Sequence, residues 1–106
     1  STLVEQVTDL IYKTLPSGEP NIKAMASMFN ISQRTFQRRL KQEGLTFLAL
    51  LDSTRKELAA QYAVNPDMSL QEISFLLGFT DNSNFYRAFK RWYGCTPGEY
   101  RELNGL

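Results

Sequence analysis

A chain of 106 residues, with 42% hydrophobic and 22% charged side chains, suits one domain with a modest core and is too apolar to stay disordered. No apolar run approaches the ~20 residues that span a bilayer, and the N-terminus lacks the basic-then-apolar layout of a signal peptide, so no membrane partner is expected. A net charge of +1 excludes a uniformly basic surface, so affinity for a polyanion has to come from local clusters.

The apolar spacing is helical along the whole chain, and no stretch alternates with period two over strand length. Leu3, Val7, Leu10 and Ile11 form the stripe of a first helix, stopped by the Pro16-Ser17-Gly18 turn. Asn21, a good N-cap, opens a second helix that buries Ile22, Met25 and Phe29. Ser32 caps a third, with Phe36 and Leu40 inward and Gly44 as the residue that closes it. Thr46 opens a longer fourth helix with Phe47, Leu51, Leu58 and Tyr62 on one face, running to about Val64 before Asn65-Pro66. Ser69-Leu70-Gln71-Glu72 is a capping box that starts a fifth helix carrying Ile73 and Leu77. Asp81 caps a sixth, with Phe85, Phe89 and Trp92 inward and Gly94 at its end. Thr96-Pro97-Gly98-Glu99 is a second capping box, with proline where its missing N–H costs nothing, opening a short helix that ends near Leu103.

These elements contain an internal repeat. Ile22, Met25 and Phe29 match Leu70, Ile73 and Leu77 at an offset of 48. Ser32, Phe36, Arg38, Leu40 and Lys41 match Asp81, Phe85, Arg87, Phe89 and Lys90 at 49, and Gly44 matches Gly94 at 50. Each copy is a short helix, a tight turn and a second, basic helix. Asn30 and Gly78 stand at the turns, and both residue types tolerate a left-handed backbone. The charge follows the repeat. Residues 32–42 carry Arg34, Arg38, Arg39 and Lys41 without an acid, and residues 82–94 carry Arg87, Lys90 and Arg91 without an acid. The rest of the chain holds five basic residues and all eleven acids.

The expected architecture is therefore all-α, with seven helices in two helix-turn-helix subdomains. The first spans residues 1–45 and the second 66–106, joined by a linker helix over 46–65. A helix-turn-helix lays its second helix in the major groove of double-stranded DNA while the first braces it across the backbone. In the first copy Gln33, Arg34, Gln37 and Arg38 face outward, and arginine and glutamine pair bidentately with guanine and adenine edges. In the second copy the outward set is Asn82, Ser83, Tyr86 and Arg87. Arg39, Lys41, Lys90 and Arg91 lie later on these helices and suit phosphate oxygens. The linker, about 27 Å for eighteen helical residues, reads as a rigid spacer that sets the two helices towards one DNA turn apart.

The segment Leu76-Leu77-Gly78-Phe79-Thr80-Asp81, then Ser83-Asn84-Phe85-Tyr86-Arg87-Ala88-Phe89-Lys90-Arg91-Trp92, then Gly94-Cys95-Thr96-Pro97-Gly98-Glu99-Tyr100-Arg101 resembles the signature of the AraC/XylS family of transcription regulators. Ser32-Gln33-Arg34-Thr35-Phe36-Gln37-Arg38-Arg39-Leu40 is similar to that family's first reading helix. The resemblance implies binding at promoters or operators, and usually activation through contact with RNA polymerase. By position it implies base contacts for Arg34, Gln37 and Arg38 in the first copy and for Asn82, Ser83 and Arg87 in the second. Most such regulators carry an effector-sensing or dimerising domain that this sequence lacks, while smaller ones consist of the DNA-binding part alone. A first residue other than Met leans to a fragment.

Other classes fit less well. With no histidine and the single Cys95, neither a nucleophile with its base nor a metal set can be assembled, so no catalytic residue, metal or cofactor is expected. The lone cysteine suits a reducing, cytoplasmic compartment. Asp52 and Glu57 read as part of a solvated helix face. A helical protein-interaction module would account for the helices but not for basic charge on two matching faces. RNA is disfavoured because its A-form major groove is too narrow for a helix.

Overall fold

Each helix begins where a side chain takes over a free backbone N–H. The computed structural model describes residues 2–106, and among them it forms seven α-helices and no strand. Thr2, Asn21, Ser32, Thr46, Ser69, Asp81 and Thr96 each accept a hydrogen bond from the backbone N–H three residues on. They open α1 (Leu3–Thr14), α2 (Ile22–Met28), α3 (Gln33–Gln42), α4 (Phe47–Ala63), α5 (Leu70–Leu76), α6 (Asn82–Tyr93) and α7 (Pro97–Leu103). Both expected capping boxes close: Glu72 returns to the Ser69 N–H and Glu99 to that of Thr96. Between α1 and α2 the Leu15–Ser17 segment winds into one 3₁₀ turn and buries Leu15.

The two helix-turn-helix turns are the same turn built twice. Asn30 (φ 57°) and Gly78 (φ 80°) are left-handed, as their positions require. In the first copy the Asn30 N–H bonds to the Ser27 carbonyl and the Ile31 N–H to Ala26. In the second the Gly78 N–H bonds to Phe75 and the Phe79 N–H to Ser74. This paired closure satisfies the last carbonyls of the first helix and sends the chain off at an angle.

One continuous core joins the two units through α4. Phe36 of α3 packs on Phe47 at the start of α4, with ring centroids 6.1 Å apart. The second unit holds the middle and end of the same helix through polar groups: the Tyr93 hydroxyl donates to the Lys56 carbonyl (2.5 Å) and Arg101 Nε to the Ala63 carbonyl (3.0 Å). The molecule is consequently elongated, 45 × 25 × 24 Å. One expectation is corrected here. The buried surface of α4 is wider than the stripe Phe47, Leu51, Leu58 and Tyr62: it also takes in Leu50, Thr54, Arg55, Ala59 and Ala63, while Tyr62 is only half-buried. A helix that serves as wall to two units cannot be amphipathic about one line. Trp92 is half-buried, and its ring meets Phe79 (6.4 Å), while Phe85 and Phe89 pack on each other (6.0 Å).

Candidate nucleic-acid interface

The inner faces of α3 and α6 are fixed by Phe36 and Leu40 and by Phe85 and Phe89, all fully buried. With the inner face settled, helical geometry turns the intervening positions outward. Gln33, Arg34, Gln37 and Arg38 are exposed on α3, and Asn82, Ser83, Tyr86 and Arg87 on α6. Arg39, Lys41, Lys90 and Arg91 are exposed as well. The structure thus brings all twelve candidates to the solvent side of two helices of the same construction.

The two helices differ in how their side chains are held. On α6 the Asp81 carboxylate caps the helix and also accepts from the Asn84 side-chain amide (3.1 Å). Asn84 Oδ1 in turn accepts from Arg87 Nη2, so the guanidinium is aimed by a chain that starts at the N-cap. On α3 the corresponding pair is Ser32 and Thr35, joined by a hydroxyl hydrogen bond of 3.0 Å that does not reach Arg38. Among the described residues no ion pair engages Arg34, Arg38, Arg39 or Lys41.

Asp52, read from sequence as part of a solvated face, is a bonded group. Its carboxylate takes both ends of the Arg91 guanidinium (2.6 and 3.2 Å) and the indole N–H of Trp92 (3.1 Å). The Arg91 hydrogen bond holds the Asp52 carboxyl below its ordinary range against the opposing effect of burial, and the Trp92 bond adds to the lowering. Arg91 therefore stands tied to α4, with its side chain still 61% exposed.

Arg55 was missed by sequence reasoning and is the most deeply placed charge among the described residues, at 6% exposure. Its Nε donates to the Leu77 carbonyl (2.7 Å), its Nη2 to the Gly78 carbonyl (3.1 Å), and its Nη1 lies 3.5 Å from Glu19 Oε1. The guanidinium also sits over the Phe79 ring, 4.2 Å from its centroid. Burial pushes its pKa down and Glu19 pushes it back up, and a guanidinium stays charged under either influence. A signal was present: Arg55 falls between Leu51 and Leu58 at spacings of four and three, in the middle of the apolar stripe.

Comparison with known proteins agrees with this geometry. A helix-turn-helix domain family matches residues 25–103. The HTH-type transcriptional regulator VirS of Mycobacterium tuberculosis is 38% identical over 106 residues, all of this chain and 31% of its own length. The chain belongs to the AraC/XylS-type helix-turn-helix regulators. A DNA-binding transcriptional dual regulator from Escherichia coli K-12 superposes with a TM-score of 0.90 at 25% identity, covering 99% of this chain and 94% of that one. The DNA-binding domain of AdpA, solved in complex with a target DNA, superposes at 0.82 and 25% identity, covering 97% and 93%. This AraC/XylS-type chain is thus a DNA-binding domain of a transcription regulator, a class of binding proteins and not of enzymes. It spans about a third of the length of VirS. No helix among the described residues is long and apolar enough to cross a membrane.

Proposed function

We propose that this domain reads a bipartite promoter site as a monomer, with α3 and α6 in adjacent major-groove segments on one face of the duplex. Gln33, Arg34, Gln37 and Arg38 contact base edges in one half-site, and Asn82, Ser83, Tyr86 and Arg87 in the other. Arg39, Lys41, Lys90 and Arg91 hold phosphates; Arg91 exchanges Asp52 for a phosphate oxygen, at little cost because the pair is open to water. The two units repeat in the same chain direction, so the half-sites are direct and not inverted. The whole regulator activates transcription in contact with RNA polymerase, and an effector-sensing or dimerising domain lies outside this segment.

The observation that carries the reading is the matched exposure of the same positions on two helices of one construction, each backed by a sealed aromatic core. Arg38→Ala and Arg87→Ala are each expected to cost ~1–3 kcal/mol of binding and to relax preference at only one or two base pairs. Lys90→Ala is expected to weaken all sequences about equally. Site selection from a random duplex pool with each variant checks this; a uniform loss from the arginine changes would make them phosphate contacts instead.

A further inference from the structure

We propose that Arg55 is the positioning residue that sets the second reading helix against the first, and so fixes the half-site spacing the domain accepts. The inference rests on the bipartite reading above. Three parts of the chain converge on this side chain. It belongs to α4, it donates to the Leu77 and Gly78 carbonyls in the turn that aims α6, and it faces Glu19 in the loop that follows the 3₁₀ turn. The same turn presses directly on that loop. A Cβ placed on Gly78 would stand 2.9 Å from the carbonyl oxygens of Leu15 and Gly18, so only glycine permits the approach. The small cleft beside the clamp, about 150 Å³, is lined by Glu19, Arg55, Gly78, Phe79, Thr80 and Asn84, and Asn84 is the residue that holds Arg87.

The physical argument turns on what a buried guanidinium demands. It cannot discharge itself by losing a proton, so its removal from water is offset only while its acceptors stay in place. The two carbonyls lie at the end of α5, where the helix itself has no donor for them, and they need Arg55 as much as it needs them. Any rotation of the second unit about α4 breaks both bonds at once. The fork also makes the demand directional: Nε and Nη2 reach two successive carbonyls, a geometry that a lysine ammonium cannot reproduce. The first unit has no equivalent, since its matching turn at Phe29–Asn30 carries an exposed Asn30 and meets no such side chain among the described residues.

The test uses the full chain, a duplex selected from a random pool by the unaltered protein, and copies of it with one half-site scrambled or with one base pair added or removed between halves. For Arg55→Lys, folded by circular dichroism, affinity for a single half-site is expected to stay within about twofold, while affinity for the intact site falls about tenfold as the two contacts cease to be made together. The preference for the native spacing should flatten in parallel. Glu19→Gln, at an exposed partner, should flatten the same preference to a smaller degree, and it decides the matter if Arg55→Lys does not fold. Unchanged spacing preference in the folded variant, or equal loss on single and intact sites, overturns the positioning role. If the unaltered protein itself does not distinguish intact from half-scrambled sites, the bipartite reading fails instead.

Discussion

The two helix-turn-helix units share a backbone plan and differ in how they grip the central helix. The first leans on α4 mainly through apolar contact, Phe36 on Phe47, with the Glu19–Arg55 ion pair (3.5 Å) and a long Tyr12–Glu57 hydrogen bond of 3.4 Å at its edge. The second is bonded to it: Arg55 to the turn carbonyls, Asp52 to Arg91 and Trp92, the Lys56 carbonyl to Tyr93, and the Ala63 carbonyl to Arg101. Apolar packing has little directional preference, whereas a set of short hydrogen bonds to fixed carbonyls admits one orientation. The side chains proposed to read bases follow the same division. Arg87 is held in line by Asn84 and Asp81, while Arg38 has no such support among the described residues. The two copies of a repeat can thus be seated by different forces, and in this chain the C-terminal one carries more of the directional bonds.

The contrast is sharpest at the two turns. Gly78→Ala puts a methyl group against two backbone oxygens in a left-handed conformation, and is expected to cost about 3 kcal/mol of stability, from strain and overpacking together. Asn30→Ala meets only the left-handed penalty, about 1 kcal/mol, and Asn30→Gly should be close to neutral. Denaturant unfolding of the three variants checks this, and similar costs at both turns would mean that the second turn is no more tightly seated than the first.

The smaller effect concerns Asp52. Its carboxyl is held below the ordinary range in the folded chain, so its contribution is present above the unfolded carboxylate pKa and is lost as pH falls through the folded value. Because the pair with Arg91 is largely exposed, Asp52→Asn is expected to cost under about 1 kcal/mol at pH 7. That difference should shrink towards zero on the acid side of ~pH 3.9, where the carboxylate protonates first in the unfolded chain. Melting curves of both proteins from neutral to acid pH show it, and a gap that widens with acid would contradict the assignment.

What was legible in the sequence was local. The N-caps at Asn21, Ser32, Thr46, Ser69, Asp81 and Thr96 act within three residues of themselves, and the left-handed turns at Asn30 and Gly78 are set by residue type. The outward positions of α3 and α6 follow from helical period once the aromatic inner face is recognised. Contacts between distant segments were not legible. The position of Arg55 within the apolar stripe was legible but its partners were not, because its acceptors lie 22 and 23 residues away in a turn whose position depends on the whole fold. Asp52 reads as part of a solvated face for the same reason, with partners 39 and 40 residues on. Ala59 and Ala63 carry too weak an apolar signal to announce that α4 is buried on two sides. Trp92 lies at the inward spacing of α6, yet Asp52 draws its N–H towards the edge of the core.

The central proposal is that α3 and α6, as the two reading helices, are held at one separation and one rotation by α4 and the bonds it makes to the second unit. Inserting five base pairs between the half-sites of a selected operator turns one of them to the opposite face of the duplex, which tests this most directly. With the helices fixed, affinity should fall to that of a single half-site, unless the DNA bends at a cost of several kcal/mol, and only one half should be protected from cleavage. Undiminished affinity for the lengthened site, with both halves still protected, would show that the junction flexes and would contradict the account.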